Sequence, residues 1–116
     1  MFDSGFGGLT VARALIDLLP HESLVYVGDT GRYPYGPRDL EEVGGFARQI
    51  ARHLVDEYDA KRLVVAGNTA AAAAPLPEMA AELGRPVVGE IEPGVRSLLK
   101  ATETGRVGVI GTVGTI

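Results

Sequence analysis

Arg62-Leu63-Val64-Val65-Ala66-Gly67-Asn68-Thr69, followed by the five alanines 70–74, sets a strand, a turn and a helix end to end. The apolar run 62–66 is too short for a helix and suits a buried strand. Gly67-Asn68-Thr69 begins the turn, and the alanines favour helix. Pro75 and Pro77 break that helix and restart it, up to about Leu83. The same alternation continues on both sides. Upstream, residues 39–58 place Val43, Phe46, Ile50 and Leu54 in one stripe with charges between them, a helix with a core-facing side. Before it, Asp29 to Pro37 holds two glycines and two prolines and reads as a loop. Leu24-Val25-Tyr26-Val27 reads as a buried strand, and residues 8–19 as a helix with Val11, Leu15, Leu18 and Leu19 on one face. Downstream, Pro86–Gly89 reads as a strand, 93–101 as a helix and 106–111 as a further strand. Strands alternating with helices predict right-handed βαβ units and a parallel sheet, an α/β fold.

Two edges of this pattern look cut. Only Met1-Phe2 precedes the first glycine loop, which is short for a central strand, and the chain stops after the strand at 106–111. A parallel sheet wants both faces covered. The expectation is an incomplete domain, whose uncovered sheet edge leaves room for a homodimer.

Composition narrows the function classes. Apolar residues make up 46% of 116, and mean hydropathy is +0.14, so a core can form. Eleven basic against fifteen acidic side chains give a net charge of −4 without a basic run, which argues against nucleic acid as partner. No apolar stretch approaches the roughly 18 residues that span a bilayer, and no secretory signal is visible, so a soluble cytoplasmic protein is expected. With no cysteine and two histidines, neither disulfides nor a metal site are expected.

In an open α/β sheet, ligands bind beyond the carboxyl ends of the strands. The residues expected there are Asp3-Ser4-Gly5-Phe6-Gly7-Gly8, Tyr33-Pro34-Tyr35-Gly36, Gly67-Asn68-Thr69, Glu90 to Pro93, and Thr112 with Thr115. Hydroxyls, an amide, backbone N–H groups and few cations suit a small polar zwitterion. Gly5-Phe6-Gly7-Gly8-Leu9-Thr10 also comes near a dinucleotide loop, with Asp29 where a ribose-binding acid would stand. However, Thr10 replaces the third glycine, and Asp3 would set a negative charge beside a pyrophosphate. Blander roles compete at each position. Asp3 suits a helix cap, Tyr35 a ring packed under a loop, and Asn68-Thr69 the cap of the alanine helix. Glu90 and Glu92 suit a solvated loop or helix N-terminus, and His21 and His53 the surface or a structural role.

Five blocks in order resemble the glutamate racemases of the aspartate/glutamate racemase superfamily, in their N-terminal part. They are Phe2 to Val11, Gly28-Asp29-Thr30 with Tyr33 to Pro37, Val64 to Ala70, Ile91 to Gly94, and Val109 to Ile116. The resemblance implies a racemase-like parallel βαβ domain, partial over residues 1–92, with residues 93–116 as a connecting helix and the first strand of a second, similar domain. It implies interconversion of L- and D-glutamate without a cofactor, for peptidoglycan synthesis. Two cysteines on opposite faces of the substrate would exchange the α-proton, since inversion removes a proton from one side and returns one to the other. It implies substrate contacts at Asp3, Ser4, Tyr35, Gly36, Asn68, Thr69, Thr112 and Thr115, with Asp3 also assisting the first thiol. This chain departs at that thiol, where Gly67 stands in place of the family's first cysteine. The second cysteine and its histidine would lie in a later segment. The chain is therefore expected to bind glutamate weakly and not to racemise it. Alternatives are a racemase of aspartate or another amino acid, a catalytically dead binding or regulatory module, and a nucleotide-binding module.

Overall fold

The computed structural model describes residues 1–116. The elements run β1 (Phe2–Asp3), α1 (Leu9–Leu18), β2 (Val27–Gly28), α2 (Leu40–Tyr58), β3 (Leu63–Val65), α3 (Asn68–Ala73), α4 (Leu76–Leu83), β4 (Val87–Gly89) and α5 (Ile91–Ala101). The four strands form one parallel sheet in the order β2-β1-β3-β4. Phe2 lies opposite Val27 on one side and Val65 on the other, so the two-residue β1 is a central strand.

Side chains alternate across the sheet. Phe2, Leu63 and Val65 join the main core with α2, α3 and α4, while Met1 and Ala66 meet Ala12 of α1 on the opposite face. From α2, Val43, Ala47, Ile50, Ala51 and Leu54 enter the main core at the helical period, and Phe46 packs at its margin. Asp39 caps that helix by accepting from the Glu41 N–H at 2.8 Å, an arrangement worth about 1 kcal/mol. Gly44 brings α2 against α3, because a Cβ there would meet the Ala73 carbonyl oxygen at 2.9 Å. α4 ends at Gly84 in the left-handed conformation (φ 61°) that glycine adopts freely.

Three expectations change. Leu18 and Leu19 are 76% and 51% exposed rather than buried on the inner face of α1. The end of that helix borders an open groove, lined also by Met1, Leu24 and Val25, instead of packed sheet. The expected strand at 24–27 pairs only at Val27, because β1 begins at Phe2; the Met1 amine instead donates to the Val25 carbonyl at 2.6 Å. Residues 106–111 form no strand. A parallel strand needs a hydrogen-bonded neighbour and cover on both faces, whereas Val109 and Ile110 are 66% and 99% exposed. No helix is long and apolar enough to cross a membrane.

Candidate functional site

The chain passes from β1 out to β2 and then back across to β3, so the direction of winding reverses between β1 and β3. In doubly wound sheets the ligand crevice opens at that point, beyond the carboxyl ends of the strands. A cavity of about 400 Å³ lies there, walled by Asp3 and Ser4 at the end of β1, by Ala66, Gly67, Asn68 and Thr69 after β3, and by Tyr33, Thr10 and Glu90 from the flanking segments.

Asp3 is 4% exposed. Its Oδ1 accepts from the Ser4 N–H at 2.6 Å and its Oδ2 from the Gly8 N–H at 2.8 Å, with the Ser4 hydroxyl at 3.4 Å. The carboxylate thus ties the glycine loop to the start of α1 and also forms part of the cavity wall. Gly67 precedes α3 with ordinary extended angles (φ −148°, ψ 123°), a backbone that any residue adopts. What singles it out is space, since a Cβ at residue 67 would fall closer than 3.0 Å to Asp3 Oδ1. The Asp3 carboxylate occupies the room that a side chain at 67 would need. Asn68 and Thr69 open α3, whose first N–H groups have no partner inside the helix.

The expected residues divide. Asp3, Ser4, Gly67, Asn68 and Thr69 meet in the cavity wall; Tyr35, Gly36, Thr112 and Thr115 do not. Tyr35 is 1% exposed, packs its ring 5.7 Å from that of Phe46 and donates to Asp29 Oδ2 at 2.5 Å. Burial first, then the bond to Asp29, push its hydroxyl far above the usual tyrosine range. It is a core residue with a satisfied hydroxyl. Thr112 and Thr115 stand behind Thr69, the three hydroxyls lying 3.0, 3.4 and 2.9 Å apart. Gly36 faces Thr112, whose Cγ2 would lie 2.8 Å from a Cβ at 36.

Tyr33 and Glu90, expected at the strand ends but not among the substrate contacts, also line the wall. Tyr33 lies over Gly5, whose added Cβ would meet the ring at 2.9 Å. With Tyr33 and Tyr35 flanking one proline, nothing in the local pattern separates the exposed ring from the buried one. Glu90 does sit at a helix N-terminus as expected, yet it is half-buried and faces the cavity rather than bulk solvent. Burial, and secondarily the charge of Asp3, push its carboxyl above the usual carboxylate range. His21 and His53 are exposed and away from the site. No group of three or more metal-ligating side chains is assembled. The wall holds no lysine, arginine or histidine, and position 67 offers no side-chain atom to carry a proton.

No family model matches the chain. Glutamate racemases from Listeria monocytogenes serotype 4a and Bacillus cereus are each 53% identical to it, over 98% and 100% of its length. The chain spans 42% of the length of each of these relatives. Among solved structures, the glutamate racemase of Aquifex pyrophilus superposes with a TM-score of 0.92 at 43% identity, over 98% of this chain and 44% of its own. The Thermus thermophilus enzyme in complex with β-chloro-D-alanine gives 0.86 at 49% identity, over 98% and 43%. The Francisella tularensis enzyme in complex with D-glutamate gives 0.82 at 40%, over 98% and 42%. Sequence and fold together make this chain a homologue of the N-terminal part of glutamate racemases.

Proposed function

We propose that the cavity between β1 and β3 is the amino-acid site of a glutamate-racemase-type isomerase, and that this chain, with Gly67 in place of the first thiol, binds glutamate without inverting it. The observation that carries the reading is the convergence of Asp3, Ser4, Gly67, Asn68 and Thr69 on one cavity, in a chain 53% identical to glutamate racemases. Ser4, Asn68 and Thr69 supply neutral hydrogen-bond donors for the α-carboxylate, and the Asp3 carboxylate faces the place of the α-ammonium. Inversion without a cofactor needs a proton-carrying group on each side of the α-carbon, and glycine carries none. Residues 1–92 are then the first domain, and residues 93–116 lead into a second. The setting is cytoplasmic peptidoglycan precursor supply.

Circular dichroism of L- or D-glutamate incubated with the protein tests the catalytic half. Unchanged ellipticity is expected, and conversion by this chain would refute it. Thermal-shift titration tests the ligand half, with stabilisation expected from glutamate. Stabilisation by NAD alone would transfer the glycine loop to nucleotide binding.

A further inference from the structure

Glu90 follows β4 directly and forms part of the cavity wall. Its side chain makes no capping bond to α5, so its carboxyl is available to the cavity. The other titratable groups in that wall are Asp3, from β1, and Tyr33, from the loop after β2; no cation offsets them. On α5 itself, Glu92 and Arg96 pair with each other at 2.6 Å and lie exposed. Asp3 already accepts two backbone N–H groups. Within this small, cation-free space, Glu90 is therefore the acid whose charge a ligand meets without compensation.

We infer that Glu90 is a charge gate on the cavity: an amino acid bearing a second carboxylate settles there with Glu90 neutral, whereas one with an uncharged side chain has no such requirement. This deepens the amino-acid reading of the cavity and rests on it. Binding glutamate then takes up a proton. As pH rises and Glu90 ionises, two like charges share a partly desolvated space, and glutamate loses affinity relative to its uncharged isostere glutamine. The α-ammonium and α-carboxylate are common to both ligands, so their titrations cancel in the ratio.

The test is isothermal titration calorimetry of the full chain with glutamate and with glutamine, at pH 5 and pH 8, for the wild type and Glu90→Gln. The wild-type ratio of the glutamate Kd to the glutamine Kd is expected to rise about tenfold between the two pH values, the change given by one pKa unit of coupling. In Glu90→Gln the ratio is expected to stay flat. A flat wild-type ratio, or the same rise in Glu90→Gln, overturns the gate while leaving the cavity an amino-acid site. Binding of neither amino acid at either pH overturns the cavity reading, and the gate with it.

Discussion

Replacing Gly67 by alanine probes the crowded space between β1 and β3. The extended backbone at 67 admits any residue. Restricting the unfolded chain alone would therefore make Gly67→Ala stabilising, by about 0.4–1 kcal/mol. The new Cβ, however, meets Asp3 Oδ1 at less than 3.0 Å. That oxygen is held by the Ser4 N–H at 2.6 Å, and its partner oxygen by the Gly8 N–H at 2.8 Å. Turning the carboxylate away costs a hydrogen bond to a charged group, about 1.5–3 kcal/mol. The loss exceeds the gain, and a net destabilisation of about 1–2 kcal/mol is expected. For a chain of this size that lowers Tm by about 4–8 °C. Urea unfolding of Gly67→Ala in the wild-type and Asp3→Ala backgrounds closes a double-mutant cycle. Without the carboxylate, the same substitution should change sign and stabilise. If Gly67→Ala stabilises the wild type, or has equal effects in both backgrounds, the crowding argument is wrong. Gly67→Cys meets the same obstruction before its thiol can act, so restored turnover in a longer chain would require Asp3 to give way.

Two adjacent glycines of α2 should respond oppositely to alanine. Gly45→Ala adds a Cβ to open space on an exposed helical face and should raise stability by about 1 kcal/mol through helix propensity. Gly44→Ala drives a Cβ into the Ala73 carbonyl and should lower it; chemical denaturation of both variants reads the difference, and equal signs would contradict the packing of α2 on α3. Glu90 should also leave a mark on folding. Its carboxyl titrates higher in the folded chain than the ordinary value of 4.5, so the folded state holds the proton more tightly. Its contribution is therefore fully present below pH 4.5 and is lost as pH rises through the folded value. The stability of Glu90→Gln relative to wild type should accordingly climb from pH 4 to pH 7, and a flat difference across that window would count against the shift.

Where a residue's role depends on its immediate neighbours in the chain, the sequence was readable. The stripe Val43, Ile50 and Leu54 enters the core because positions spaced by about whole turns of helix return to one side. Asp3, Gly67 and Thr69 meet because adjacent parallel strands end at one level. Roles decided by distant partners were not readable. Tyr35 is in the core because Asp29 and Phe46 receive it, while Tyr33, two residues earlier, stays outside. Residues 106–111 have the apolar content of a strand but no neighbour to bond to. Glu90 reads as a surface acid until β4 and β1 bring it into the same wall as Asp3.

The hydroxyls of Thr69, Thr112 and Thr115 close a three-membered circuit in which each oxygen can give one proton and receive one. Each oxygen keeps a spare lone pair but no spare proton. An incoming ammonium can therefore attach to Thr69 with the circuit intact, whereas an incoming carboxylate must take a proton already committed to Thr112 or Thr115. The second kind of visitor loosens the 112–115 turn from the start of α3, and the mobility of that turn would report which end of an amino acid Thr69 holds.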